Sequence, residues 1–442
     1  MILVYHILST LAAPLVALVF ALVSLFTRNK RRGLLDHFGR VPTTDPGDTR
    51  KTLWLHALSM GEVTAAAPVL DRVRSLRPDI RIVVSVTTDS GYDAARIQLP
   101  FADRILFHPL DCLPFTWAAV NRIRPGLFVM TDTGFWPGLL DVLFRQRIPA
   151  ILFNGRISKR SYRRYQMLGS FTKEVLGKFT ILCMQNPRGE EMVRSLGADP
   201  ARVRVIGDPK FDALPSVSKE ERERIRSRFG IAASAPVWIA GSTHEGEEEI
   251  LIGVYKKLKT QFPDLAWILA PRRVERVNAV ASLLHGGGIV FVKRSAIQES
   301  GAPGPANVIL LDTMGELAGL YAIATVAFVG RSLVAPGGGH SLIEPVAQGV
   351  PAVHGPFIEN IRHMADMLYP HGLAREVKTG EEMVTALNSL LADPAHLARL
   401  ADKARSLIRE NQGASARMAE ILTTGSGLES WNFGVESDRS ID

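Results

Sequence analysis

The sequence predicts an α/β protein of two similar halves, each a parallel sheet covered by helices on both faces, behind an apolar N-terminal helix. Three observations predict it. Short β-rich apolar runs alternate with longer helical patterns; the rhythm stops once at a turn- and charge-rich joint and then restarts; and residues 2–26 contain no Asp, Glu, Lys or Arg.

The apolar run comes first. As a helix rising about 1.5 Å per residue, it reaches past the roughly 30 Å core of a bilayer. "RNKRR" follows at 28–32, and basic residues on that flank place it in the cytoplasm. A cleaved signal peptide would carry its charge before a shorter apolar core. Residues 1–27 thus read as a retained membrane anchor, and a buried or interfacial helix is the alternative. Residues 28–50 read as a basic linker.

The first half, 51–206, offers strands at "LWLHAL", "RIVVSV", "RILFHPL", "GLFVM", "AILFN" and "ILCMQ", with helical stretches such as "EVTAAAPVLDRVRSL" between them. The joint, 207–235, begins "GDPKFDALPSVSKEE". The second half, 236–423, restarts with "VWIAGST", "AWILAPR", "IVFVKR", "VILLD", "VAFVGRS" and "PAVHGP". Residues 424–442 read as a loose tail. In open parallel sheets ligands bind at the C-terminal strand ends, so a cleft between the halves is the expected site.

Composition narrows the partners. The chain of 442 residues is 46% apolar and 22% charged, which is globular rather than disordered. Lys plus Arg number 52 against 44 Asp plus Glu, a net +8 that suits an anionic partner. Two cysteines, Cys112 and Cys183, lie in apolar stretches, which argues for a reducing compartment and against a disulfide framework or thiolate metal site.

Polar clusters fall at the strand ends. In "LWLHALSMGEVTAAAP", Ser59 and Glu62 have the spacing of a capping box, yet a carboxylate at a strand end can equally be a catalytic base. "GSTHEGEEE" opens a helix, with Ser242 or Thr243 as N-cap or with its N–H groups holding an anion. "VGRSLVAPGGGHSLIEPV" runs a strand into a triple-glycine loop that reads as a binding loop, with Glu344 able to accept from ribose hydroxyls. Arg272 and Arg273 follow another strand, where guanidinium forks suit phosphate, and Gly315 sits at a further strand-to-helix turn. Arg156, Lys159, Arg160, Arg163 and Arg164 make a cationic surface that suits lipid. Its aromatic residues are too sparse for a nucleic-acid stacking platform. Neither a P-loop, a dinucleotide fingerprint nor a metal motif is present, so no metal or other cofactor is implied.

Eight blocks in order, "WLHALSMGEV", "DTGFWPG", "FNGRISKRS", "GDPKFD", "GSTHEGEE", "APRR", "LDTMGELAGLY" and "GGGHSLIEP", resemble the 3-deoxy-D-manno-octulosonic acid (Kdo) transferases of lipopolysaccharide biosynthesis over roughly residues 1–365. The resemblance implies a glycosyltransferase B fold of two Rossmann-like domains, the first binding acceptor and the second nucleotide sugar. It implies transfer of Kdo from CMP-Kdo to a lipid A precursor on the cytoplasmic face of the inner membrane, without metal or nucleic acid. In such enzymes Glu62 corresponds to the general base, Lys210 to a cation that stabilises the transition state, and Asp132 to the first acid of a Glu-Thr-Glu block. CMP contacts are implied at Pro271 and Arg272, at Met314, Gly315 and Glu316, and at Ser341, Leu342, Ile343 and Glu344. Pro68 adds an expectation from the residues themselves: a helix starting nearer Thr64 keeps that proline in its first turn and leaves Glu62 on a turn.

Departures from the family pattern concern the pockets. Asp132 is one methylene short, Gly134 replaces the second acid, Asp208 replaces Asn, Arg273 replaces His, and Ser341-Leu342-Ile343 replaces Asn-Pro-Leu. They keep open another CMP-activated ulosonic acid, another lipid acceptor, or a catalytically silent binder.

Overall fold

The computed structural model describes residues 1–26, 33–43, 47–131, 133–215, 217–298, 307–425, 428 and 431. The basic run 28–32 and Asp132 lie outside the described residues. The chain forms two compact units, Met1–Ala213 with the chain from Asn411 onward, and Leu214–Glu410.

The first unit carries β1 (Thr52–Ala57), β2 (Arg81–Val86), β3 (Arg104–Phe107), β4 (Leu127–Thr131), β5 (Ala150–Gly155), β6 (Ile181–Met184) and β7 (Val203–Val205). They form one parallel sheet in the order β3-β2-β1-β4-β5-β6-β7. Every residue of β1 is buried, as expected when helices cover both faces. Strand alternation then divides the side chains, with Leu53, Leu55 and Ala57 in one core layer and Trp54 in the other. Strand order reverses between β1 and β4, the place in an open parallel sheet where a binding crevice is expected at the C-terminal strand ends.

The chain's end also belongs here. Helix Ala414–Thr424 packs on helix Met60–Leu76, and Leu428 and Trp431 are buried in the same core layer. The indole Nε1 of Trp431 donates to the Leu422 carbonyl at 2.7 Å. Extending the second half to residue 423 and reading 424–442 as loose are both corrected at these positions. An aromatic residue that fills a core outweighs the polar composition around it. The joint shifts too. Phe211 is buried, and the Asp212 carboxylate accepts the N–H groups of Gly413 at 2.6 Å and Ser415 at 2.7 Å, so "GDPKFD" closes the first unit.

The second unit repeats the plan with β8 (Val237–Thr243), β9 (Ala266–Pro271), β10 (Val292–Lys293), β11 (Val308–Leu310), β12 (Val326–Val329), β13 (Ala352–His354) and β14 (Ala374–Glu376). All pair in parallel in the order β10-β11-β9-β8-β12-β13-β14, with the reversal between β8 and β12. The N-terminal helix runs Ile2–Phe26, with Pro14 inside it, and is long and apolar enough to cross a membrane.

Candidate active site

In the first unit, Glu62 stands at the reversal between β1 and β4. The helix begins at Met60, not near Thr64, and holds Pro68 in its interior. The missing proline N–H is tolerated in a helix anchored by Val63, Ala66, Val69, Leu70 and Val73 in the core. Ser59 is N-cap by backbone geometry but its side chain caps nothing. Its hydroxyl instead donates to Glu62 Oε1 at 3.5 Å. Glu62 Oε2 accepts the Leu58 N–H and, at 3.5 Å, the hydroxyl of Thr131, the last residue of β4. The carboxylate therefore holds the N–H of Leu58, one residue before the N-cap, and bridges the ends of two strands. It remains part-exposed.

Beneath it lies a neutral imidazole stack. His56 and His108 are 3.6 Å apart between ring centroids, with Trp136 edge-on to His56 at 5.6 Å. Burial holds His56 down to about 3, and burial and then His56 hold His108 well below the usual histidine range. Neither carries charge near neutral pH, so this stack props the β1 end without adding a field.

Lys210 lies on the short turn Pro209–Phe211, which packs on the helix of Glu62. The side chain of Lys210 is exposed. Asp208 fixes that turn by accepting the Lys210 N–H at 3.0 Å, a task an Asn side chain performs with the same oxygen, so the Asp-for-Asn departure is geometrically neutral. Gly134 is exposed, and a Cβ built there meets only Leu58 at 3.6 Å, so space does not require glycine.

In the second unit the reversal between β8 and β12 carries a cavity of about 490 Å³ lined by His244, Arg272, Arg273, Met314, Arg331 and His340, among others. Glu247 builds it. Wholly buried, this carboxylate accepts four backbone N–H groups: His244 and Arg331 at 2.9 and 2.8 Å on Oε2, Ser332 and Leu333 at 2.9 Å on Oε1. It ties the loop after β8 to the loop after β12. Ser242 and Arg331, one on each side, have positive φ values of 56° and 59°, a strained backbone that the packing around it must hold. Neither Ser242 nor Thr243 is the N-cap; Gly246 is, and the Thr243 hydroxyl donates to buried Glu248 at 2.9 Å. Arg276 neutralises Glu248 at 2.8 Å.

Of the residues implied for nucleotide contact, Arg272 and Met314 reach the cavity, with Pro271 at the end of β9. Gly315 has φ +86° with open space beside it. Glu316 is engaged by Arg294 at 2.7 Å. Leu342 and Ile343 are buried, so their side chains serve the core and only their backbone is available. Glu344 is raised by burial, against the pull of its Ser341 hydrogen bond and of Arg272 nearby. The three glycines 337–339 all have positive φ and abut Phe357, Asn360 and Ile361, so the chain's own packing accounts for them without a ligand.

His244 and His340 were not among the expected site residues, nor was Arg331. The Nε2 atoms of His244 and His340 meet at 3.0 Å. Burial, then His244 and Arg272, hold His340 down to about 4, and burial also lowers His244. The pair is neutral among arginines, a field suited to an anion. "GSTHEGEEE" was the signal for His244, hidden by its helix-cap reading; Arg331 has no signal beyond its place after β12. Among the described residues no cluster of three or more His, Cys, Asp or Glu side chains could hold a metal ion.

Comparison with known proteins bears on this pair of sites. The family model for 3-deoxy-D-manno-octulosonic-acid transferase matches residues 31–213. The chain is 30% identical over 423 residues to the 3-deoxy-D-manno-octulosonic acid transferase of Haemophilus influenzae, covering 95% of this chain and 97% of that one. It is 31% identical to the Bordetella pertussis transferase of the same description, covering 87% and 90%. The UDP-GlcNAc 2-epimerase of Neisseria meningitidis shares the fold alone, at 14% identity, with a TM-score of 0.59 over 84% of this chain and 99% of that one. Two Rossmann-like parallel-sheet domains of the glycosyltransferase B type, together with relatives matched over nearly their whole length, make this chain a glycosyltransferase of the 3-deoxy-D-manno-octulosonic acid (Kdo) transferase family.

Proposed function

We propose that the chain transfers Kdo from CMP-Kdo to a hydroxyl of a lipid A precursor of the lipid IVA type, with inversion, and that Glu62 is the general base. The acceptor hydroxyl gives its proton to Glu62 as its oxygen attacks the anomeric carbon. The bond from that carbon to the CMP oxygen breaks on the opposite face, and its electron pair leaves with the phosphate. One observation carries this reading: Glu62 is a part-exposed carboxylate at the strand reversal of the first sheet, where a ligand is expected, in a chain of this family.

The other assignments follow from the same reading. Lys210, on the turn against the helix of Glu62, supplies a fixed positive charge to the transition state. Asp132, next in sequence to Thr131, orients the acceptor. The nucleotide takes the cavity of the second unit. There Arg272, following Pro271, faces the phosphate, while the Met314–Glu316 turn and the Ser341–Glu344 turn hold base and ribose. The arginines supply the positive charge that the leaving phosphate needs, so the reading uses no metal. The apolar helix holds the enzyme to the inner membrane, with both units in the cytoplasm and no nucleic acid as partner.

A second reading has its own observation. Gly134 leaves room for the absent acid, so its loss is a chemical change rather than a steric one, and it favours another CMP-activated ulosonic acid or another lipid acceptor.

The test measures CMP release and lipid product from CMP-Kdo and a tetraacylated lipid A precursor, for wild type and Glu62→Gln. Turnover in wild type and its near-total loss in a folded variant support both transferase and base. Turnover that survives in the variant returns Glu62 to its capping role. A wild type that binds CMP without turnover moves the reading to another donor or acceptor, or to a silent binder.

A further inference from the structure

We propose that the N-terminal helix lies flat in one leaflet of the membrane, pinned along the first unit by Tyr5 and His6, and does not cross the bilayer. This deepens the membrane reading above and departs from the spanning anchor expected from length and composition.

The inward stripe of the helix is bound to the domain at both ends. The terminal ammonium lies 3.1 Å from Glu174. The Tyr5 hydroxyl donates at 2.7 Å to Asp111, which also accepts the N–H groups of Gly138 and Leu139 at 2.9 and 2.8 Å. His6 Nε2 is 2.7 Å from Asp141, whose other oxygen accepts from Lys178 at 2.6 Å, and all three side chains are buried. Burial pushes the Asp141 carboxyl up, but Lys178, Arg145 and His6 together bring it down to about 2. Near the far end the Phe20 ring is 4.8 Å from His37, edge-on. A spanning helix carries residue 2 about 30 Å from the aqueous domain. It would break these bonds and uncover the buried Asp141–Lys178 pair.

Among the described residues, the outward leucines have no such contact. Leu3, Leu8, Leu11, Leu15, Leu18 and Leu22 are each 48–74% exposed. The helices that flank it, Leu113–Ile123 and Pro137–Arg145, expose Trp117 and Phe144, the amphipathic and apolar side chains of a membrane interface. Where the helix starts, Met1 touches Ser170 at 3.2 Å, just past the basic helix Lys159–Met167. That helix exposes Lys159, Arg160, Arg163 and Arg164. A lipid monolayer with anionic headgroups matches both the apolar face and the charge beside it.

Two measurements on the full chain test this. The first floats wild type and Leu11→Glu/Leu15→Glu with vesicles of phosphatidylethanolamine and phosphatidylglycerol. Wild type floats; the variant loses at least ten-fold in bound fraction while keeping turnover on detergent-dispersed acceptor. A wild type that stays in solution overturns the membrane reading itself, and a variant that loses self-association instead assigns the face to a second copy. The second cross-links Ile2→Cys with Glu174→Cys, using a short bis-maleimide on vesicle-bound protein. Efficient linkage keeps residue 2 against the domain. Floating protein that forms no link in membranes, yet links in detergent, overturns the flat orientation and leaves membrane attachment standing.

Discussion

Glu247→Gln is the most informative substitution in the second unit, because it changes one atom in a site whose hydrogen bonds can all be counted. Four backbone N–H groups at 2.8–2.9 Å converge on the two oxygens, an arrangement that only an acceptor-only carboxylate satisfies. Glutamine presents an amide NH2 on one side whichever way it turns. Two buried N–H donors then face a donor. At about 1–3 kcal/mol for each buried donor left without a partner, the loss is about 2–6 kcal/mol. At about 2–4 °C per kcal/mol for a unit of this size, the corresponding melting transition falls by roughly 4–24 °C. The variant also releases His244 and Arg331, so donor KM rises more than kcat falls. Scanning calorimetry with and without CMP, beside initial rates over donor concentration, reads both effects. An unchanged transition together with an unchanged donor KM would refute the role assigned to this carboxylate.

Other perturbations carry equally definite expectations. Glu62→Gln lowers kcat by about 10²–10⁴-fold, the usual contribution of a general base, with thermal unfolding near that of wild type. His340 has its folded pKa depressed to about 4 by burial, His244 and Arg272, so the unfolded chain binds its proton first as pH falls. Its contribution is constant above about pH 6.5, the ordinary histidine value, is lost on descending toward pH 4 and flattens below; His340→Asn removes that part of a pH–stability profile. Trp431→Ala lowers the stability of the first unit by about 3–5 kcal/mol in urea unfolding, although the residue lies near the chain's end. Gly134→Glu folds as wild type, given the 3.6 Å clearance to Leu58, and shifts donor or acceptor preference in competition assays.

The central strands were legible because parallel strands buried on both faces are written as nearly continuous apolar runs, as in β1, β2 and β5. β7 and β14 escaped notice for the opposite reason. Each is a three-residue edge strand, Val-Arg-Val or Ala-Arg-Glu, with only its first residue buried. Pro68 points to a later helix start than Met60, but the apolar face that carries the helix past it outweighs the missing N–H. At the candidate sites, the strand-end positions of Glu62 and Arg272 were legible from pattern and motif. His244 and Arg331 were not, because they are brought together by Glu247, and a buried carboxylate in "HEGEEE" looks in sequence like any helix-opening acid.

The first unit's last core pieces come from the far end of the chain, and this has a consequence for synthesis. On the ribosome, residues 1–213 emerge first, but the helix Met60–Leu76 waits for Met418, Leu422, Leu428 and Trp431 to cover its apolar side. The whole of the second unit is translated in between. A nascent or prematurely ended chain thus displays uncovered apolar surface, the kind that chaperones bind and that seeds aggregation. The domain that is begun first is finished last, after the whole of the second unit.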